Sequence, residues 1–197
     1  MKKLIIALTV LVMAACAASA QSVGVVDYEK LQDTPLFKSI AEELSAARTN
    51  FAAELNLRKE NPYLTENEVQ ELITEAAKNP SSARAKELQD ENAKRSAEAQ
   101  TLSQANPPSD EQKKRIDELS DMFKKSQKNL NNVAESMEQS MAQLVDEKTK
   151  AFDAKVSDAC KAVAADKKLS IVVMKAFVLY GGTDITEDVL AKLPASL

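Results

Sequence analysis

The sequence predicts a mostly α-helical protein, in which a long helical hairpin projects from a small β head made by the two ends of the chain. Two observations support this fold class. Residues 109–165 run for 57 positions without proline or glycine, which is far longer than an ordinary globular helix. The three glycines, Gly24, Gly181 and Gly182, lie instead in or beside two short β-branched segments, and such segments favour strands.

The long segment opens with a helix-start pattern. The Ser109 hydroxyl can accept from a first-turn amide while Gln112 reaches back, which is the capping-box arrangement. Apolar side chains then recur mainly at steps of three and four residues, with Ser126 interrupting one seam position and a second step of seven after Val145. They are Ile116, Leu119, Phe123, Leu130, Val133, Met137, Met141, Val145, Phe152, Val156, Cys160 and Val163. A helix of this length would measure roughly 85 Å, and its apolar stripe must be buried against another long helix.

An outgoing helical arm precedes the long helix and is predicted in three pieces. Thr34 and Pro35 supply an N-cap and a first helical residue, and apolar residues then follow at helical spacing. Pro62 interrupts this piece, and a capping box at Thr65 starts a second helix, which ends near Asn79. A third, weakly apolar piece covers residues 82–104.

The two arms together predict a hairpin, or tentacle, over residues 34–165. Its tip is placed near 106–109, at Asn106-Pro107-Pro108, because a reversal there leaves the arms similar in length. A reversal at Pro80 would leave them much less equal. The segment 61–81 looks like extra length and has no functional interpretation from the sequence.

The head is predicted to combine residues 21–33 with residues 166–197. Val23–Tyr28 and Leu169–Tyr180 are both expected to be strands of one sheet, and a short helix is expected from Thr186 to Lys192. So small a sheet buries too little surface to stand alone and leaves its edges open, which predicts a closed homo-oligomer. The residues expected in this oligomerisation head are Val23, Val25, Val26, Ile171, Val172, Val173, Phe177, Val178 and Leu179.

The first twenty residues carry an export pattern. Two lysines precede an apolar run over residues 4–15, and small residues lead to Ala20, so we predict a signal peptide over residues 1–20 that is cleaved after Ala20. An alternative is lipid attachment at Cys16, because residues 13–16 are similar to a bacterial lipobox. The first outcome gives a protein released from the membrane, and the second gives an anchored one.

Composition argues against several function classes. The chain has 26 basic and 30 acidic residues and no histidine, so nucleic acid is not expected as a partner, and lipid contact is expected only through Cys16. No nucleotide-binding glycine loop or catalytic spacing of carboxylates is present in the sequence. We therefore predict no enzyme activity, no catalytic residues, no cofactor, no metal and no small-molecule substrate. Cys160 lies on the apolar stripe, which favours a buried structural thiol over a reactive one.

Both ends of the chain resemble one known family. The opening SVGVVDYEKL and the closing LSIVVMKAFVLYGGTDITEDVLAKL are similar to the Skp/OmpH family of periplasmic chaperones. The resemblance implies a homotrimer with a β head and three helical tentacles. It also implies a periplasmic holdase that keeps unfolded outer-membrane proteins soluble inside its cavity without ATP. Family members often have strongly basic tentacles, whereas residues 82–150 are nearly balanced in charge, so lipid binding attributed to some members is not carried over.

Two questions about function stay open at this stage. Met122, Phe123, Met137 and Met141 are candidates for an adaptable client-binding surface, since methionine tolerates varied partners. The same residues also fall on or beside the hairpin seam, where packing alone would explain them. A structural or adaptor coiled coil of the cell envelope is the alternative function, because it would share the rod and the export signal.

Overall fold

The computed structural model describes residues 22–79 and 81–197. The predicted signal peptide, its cleavage after Ala20 and the alternative lipid attachment at Cys16 therefore lie outside the described residues. The elements in chain order are β1 (Val23–Val26), α1 (Tyr28–Leu31), α2 (Pro35–Glu60), α3 (Glu66–Lys78), α4 (Ala83–Leu102), α5 (Asp110–Lys167), β2 (Ile171–Met174), β3 (Thr183–Asp184) and α6 (Thr186–Leu190). The fold is mostly helical with one small sheet, as predicted.

The described residues form two compact units. The first unit takes in residues 22–43 and 146–197, and the second is Leu44–Val145. Within the part of the chain that the structure describes, no helix is both long enough and apolar enough to span a membrane.

The sheet of the first unit has the strand order β2-β1-β3, and both pairings are parallel. Val23 pairs with Ile171, and Val26 pairs with Met174, the last residue of β2. On the other side, Gly24 pairs with Thr183. The prediction that both chain ends contribute to one sheet is confirmed.

Both predicted strands are shorter in the structure, and each ends where its partner is lost. The first strand stops at Val26 instead of Tyr28, because the next amide, that of Asp27, donates to the Thr186 hydroxyl at 2.9 Å. The second stops at Met174 instead of Tyr180, since β1 offers no further residue to pair with. The chain then makes a single 3₁₀ turn over Lys175–Phe177.

The last helix also differs from its prediction. It runs from Thr186 to Leu190 and not to Lys192, and the Thr186 side chain does not cap it. The Thr186 hydroxyl instead donates to the Asp184 carboxylate at 2.6 Å, and its amide donates to the same oxygen at 3.0 Å. These bonds from Thr186, with Lys175 nearby, lower the pKa of Asp184 to about 2. The Thr186 hydroxyl thus links β3 to the end of β1.

An aromatic cluster joins the helices of this unit. The Phe152 ring of α5 meets the rings of Phe37 and Tyr28 edge-on, at centroid distances of 5.6 and 6.2 Å. The Tyr28 hydroxyl donates to Asp153 at 2.8 Å, and burial together with this carboxylate raises the pKa of Tyr28 to about 12. Thr34 caps α2 as predicted, because its hydroxyl accepts from the Phe37 amide at 3.3 Å.

Two of the glycines are required by close packing in the sheet. A Cβ at Gly24 would stand 2.7 Å from a methyl carbon of Leu169, and one at Gly182 would stand 2.7 Å from a methyl carbon of Val25. Gly181 and Gly182 both have positive φ, at 88° and 89°, which L-residues with side chains rarely adopt. Gly181, in contrast, has no atom within 4 Å of the corresponding Cβ position.

We predict that Gly182→Ala destabilises the protein more than Gly181→Ala. Both substitutions cost about 1–2 kcal/mol for the positive φ. Gly182→Ala adds a clash with Val25, worth about 1–3 kcal/mol more. Urea unfolding followed by circular dichroism measures the difference, and equal losses in the two variants would show that the clash at Val25 is relieved at no cost.

The second unit contains the predicted helical pieces of the outgoing arm. Thr65 and Glu68 form the predicted capping box at the start of α3, and Ser109 and Gln112 exchange the expected bonds ahead of α5, at 2.8 and 3.2 Å. Helices α3 and α4 pack on each other around a small buried cluster: Leu64, Val69, Leu72, Ala85 and Leu88. Leu64, Val69 and Leu72 of the segment 61–79 therefore share a core with α4.

Two largely buried arginines join the helices of this unit. Arg58 donates to Glu54 at 3.0 Å, to Glu66 at 2.9 Å and to Gln70 at 3.3 Å. The Arg95 guanidinium of α4 donates to both carboxylate oxygens of Glu68, at 2.8 and 2.9 Å. The Arg95 side chain, opposed by burial and helped by Thr65, lowers the pKa of Glu68 to about 2. Bidentate pairs of this kind fix geometry as well as adding energy.

We predict that Glu68→Gln lowers stability at neutral pH by about 2 kcal/mol, because a charged hydrogen-bonded pair is lost while glutamine can still complete the capping box. The Glu68 pKa is lower in the folded state than its ordinary value of 4.5. Its contribution is therefore complete above about pH 4.5 and disappears as the pH falls toward about 2.

Urea unfolding near neutral pH and near pH 3 tests this prediction. The gap between wild type and Glu68→Gln should narrow at the lower pH. Glu87→Gln is the matched control, since Glu87 pairs with Arg84 on an exposed surface and its loss should cost under about 0.5 kcal/mol. A gap that keeps its size at both pH values would contradict the assignment.

Candidate functional site

The nine residues predicted for the oligomerisation head are placed in three different environments. Val25 and Val26 are buried in the core of the first unit, so they support the fold from inside. Val23, Val172, Val173 and Val178 are half-buried. Ile171, Phe177 and Leu179 are exposed, and Phe177 keeps 76% of its surface open to solvent.

The exposed members belong to one stretch of chain, β2 and the residues after it; its exposed large apolar residues, here called the head patch, are Ile171, Met174, Phe177, Leu179 and Tyr180. Met174 and Tyr180 were not among the predicted site residues, although they stand in the same β-branched and aromatic run. Leu179 and Tyr180 are almost fully exposed. Several large exposed apolar side chains in one short stretch of chain are typical of an interaction site.

The head patch lies beside an open sheet edge. Within the described residues β2 has one neighbouring strand, β1, so its other edge carries unpaired backbone groups. An edge of this kind is a template for pairing with another chain. The first unit therefore offers backbone hydrogen-bonding groups and apolar side chains on β2 and the segment that follows it.

The four client-contact candidates do not form one surface. Met122 lines a cavity of about 200 Å³ with Leu64, Val69 and Leu130. Phe123 is 40% exposed, and its ring lies 5.7 Å from that of Tyr63, which comes from the connection between α2 and α3. Met137 and Met141 line neither the cavity beside Met122 nor the contact between Phe123 and Tyr63. The candidates thus divide into three places along α5.

Met137 and Met141 line an open groove between α2 and α5, the α2–α5 groove, with a volume of about 430 Å³. Its lining residues are Arg48, Phe51, Ala52, Leu55, Ala134, Met137, Glu138 and Met141. Phe51 and Leu55 were missed as site residues, although both belong to the apolar series of the outgoing arm. A groove with one aromatic and two methionine side chains can adapt to varied apolar partners.

The remaining candidate groups support structure. Cys160 is half-buried, and burial raises the pKa of its thiol, which favours a structural thiol at neutral pH. Among residues 22–79 and 81–197, no group of three or more His, Cys, Asp or Glu side chains is placed to hold a metal ion. The head patch and the α2–α5 groove are the candidate functional sites.

The small parallel sheet and the long helices define a mostly helical protein with exposed apolar side chains near β2. The chain belongs to the family described as outer membrane protein (OmpH-like), whose model matches residues 22–193. This confirms the resemblance to the Skp/OmpH family. A comparison with curated proteins gives no significant match. Family membership supports a periplasmic protein related to outer-membrane-protein chaperones, and it favours a chaperone over an enzyme.

Proposed function

We propose that this protein is an ATP-independent periplasmic holdase, which keeps unfolded outer-membrane proteins from aggregating inside a cavity formed by helical tentacles. The observation that supports this most directly is the α2–α5 groove, where Phe51, Leu55, Met137 and Met141 leave apolar surface open on two long helices. Unfolded chains expose apolar side chains, and covering them prevents aggregation. No energy source is required for binding of this kind.

The proposed assembly is a homotrimer held together at the heads. Residues 21–33 and 166–197 form the head in this proposal, and residues 34–165 form the tentacle, with its tip near 106–109. The head patch and the open edge of β2 support the proposal, because a second copy can cover both at once. A closed ring also explains why Leu179 and Tyr180 are exposed in a single chain.

Client contact is proposed at Met122, Phe123, Met137 and Met141, with Phe51 and Leu55 added from the groove.

Export to the periplasm is proposed from the predicted signal peptide, with cleavage after Ala20 and with lipid attachment at Cys16 as the alternative. The adaptor coiled coil of the envelope stays the alternative function. It would bind one folded partner tightly, whereas a holdase binds many unfolded chains.

We predict that Leu179→Asp and Phe177→Asp dissociate the trimer. A carboxylate in a buried apolar interface costs several kcal/mol, so association should weaken by at least about a hundredfold. Light scattering coupled to size-exclusion chromatography measures the mass of the mature protein and its variants. Val145→Asp is the control, because Val145 is an exposed apolar residue outside the head and its substitution should leave the mass unchanged.

Two results would contradict the head interface. One is a wild-type protein that remains a monomer at micromolar concentration, and the other is an unchanged trimer mass in both aspartate variants. A two-stranded rod in place of a trimer would favour the adaptor function.

We predict that the mature protein suppresses aggregation of several unrelated β-barrel proteins when they are diluted from urea. Suppression should be nearly complete at about one trimer per client, because each proposed cavity encloses one client chain. A chaperone that coated the surface of aggregates would show no such fixed ratio. Turbidity measures the effect, and it should not change when ATP is added. Tight binding of a single folded envelope protein, with no suppression for any client, would contradict the holdase and favour the adaptor.

A further inference from the structure

The α2–α5 groove has a regular arrangement of apolar side chains. Phe51 and Leu55 stand one turn apart on α2, and Met137 and Met141 stand one turn apart on α5. Four residues of α-helix rise about 6 Å. Each wall of the groove therefore presents two apolar side chains about 6 Å apart along its length.

This spacing matches that of an extended chain. Side chains at positions i and i+2 of a strand point to the same side and are about 6.6 Å apart. Two apolar residues on one face of an extended segment can therefore contact both turns of the groove at once. The side chains on the opposite face would point to solvent, so they can be polar.

The polar residues of the groove have opposite charges on opposite walls. Arg48 lies on α2 and Glu138 on α5, and both are exposed. Neither side chain makes an ion pair within the described residues, where the neighbouring pairs use Glu54 and Glu43. Both charges are exposed and can be hydrated in the free protein, and an occupant with polar or mixed-charge residues flanking its apolar ones could also pair with them.

The α2 wall is held in place by the buried ion network of the same unit. Arg58 lies less than one turn beyond Leu55 and ties Glu54 of α2 to Glu66 and Gln70 of α3. Because that arginine is largely buried, the end of α2 is fixed against α3 without any client. A wall that is already ordered loses less entropy when a ligand binds.

We propose that the α2–α5 groove is a subsite for extended peptide segments in which apolar residues alternate with polar ones. Phe51, Leu55, Met137 and Met141 contact the apolar side chains, and Arg48 and Glu138 contact the polar or charged residues that flank them. The inference rests on the proposed holdase function, since it names the form in which a client segment is held.

Photo-crosslinking with matched alanine positions tests the subsite. A benzophenone-bearing residue is placed at Ala52 or Ala134, which line the groove, or at the control positions Ala53 and Ala142, which are exposed on the same helices and do not line it. The probe is a labelled synthetic peptide with leucine at every second position. Its control is a permuted peptide of the same composition, in which adjacent pairs of leucines alternate with pairs of polar residues, so that no two leucines stand at positions i and i+2.

We expect crosslinking yields at Ala52 and Ala134 to exceed those at Ala53 and Ala142 by about tenfold for the alternating peptide. A tenfold ratio corresponds to a modest preference in binding free energy for the groove over the neighbouring helix surface. The permuted peptide should lose most of that preference.

Ala52→Trp, which fills the groove, should weaken binding of the alternating peptide in a fluorescence-anisotropy titration by about tenfold. Ala53→Trp should not.

Each contrary outcome points to a definite failure. Equal yields at all four positions, with aggregation still suppressed, would overturn the subsite and leave the holdase standing. Equal capture of both peptides would overturn the extended form of the ligand. Crosslinks at Ala52 between two copies of the chain, formed without peptide, would assign the groove to self-association. Selective capture of the alternating peptide by a protein that suppresses no aggregation would support the subsite and overturn the holdase.

Discussion

The parallel pairing of β1 with two strands from the other end of the chain is the constraint on which the rest of the fold depends. Parallel strands cannot be joined by a tight turn and need a crossover connection. Between β1 and β2 that crossover contains helices α1 to α5. The Phe152 ring meets Tyr28 and Phe37 because the chain leaves this sheet near Pro35 and returns to it near Lys167. Gly24 and Gly182 leave room for the side chains of Leu169 and Val25 beside this sheet.

The helices could be predicted from sequence because their signals are local. Thr65 and Ser109 each lie three residues before the side chain that completes their capping box. The long apolar stripe of α5 can likewise be recognised without knowing which helix packs against it. The strand ends could not be predicted in this way, because a strand ends where its partner ends. Leu169–Tyr180 has strand-like composition throughout, yet pairing stops at Met174, opposite the last residue of β1.

The candidate site was predictable in part for a related reason. Met137 and Met141 followed from the stripe, but Phe51 and Leu55 required knowledge of which turn of α2 faces them. Met122 and Phe123 are adjacent, so about 100° of rotation separates their directions and they meet different neighbours. Tyr63, which contacts Phe123, lies in a connection whose path is set by the core of α3 and α4.

The second unit relies on polar contacts where larger domains use large apolar residues. Its described buried apolar residues are a small cluster around Leu72 and, apart from that cluster, Leu119. Arg58 and Arg95 add charged hydrogen bonds that join α2 and α4 to Glu66 and Glu68 of α3. Buried ion pairs add little net stability, because desolvation offsets most of the attraction, but they specify geometry. An arrangement fixed in this way does not need every apolar side chain for packing. Phe51, Leu55, Met137 and Met141 are accordingly only half-buried, and part of their apolar surface remains open along the α2–α5 groove.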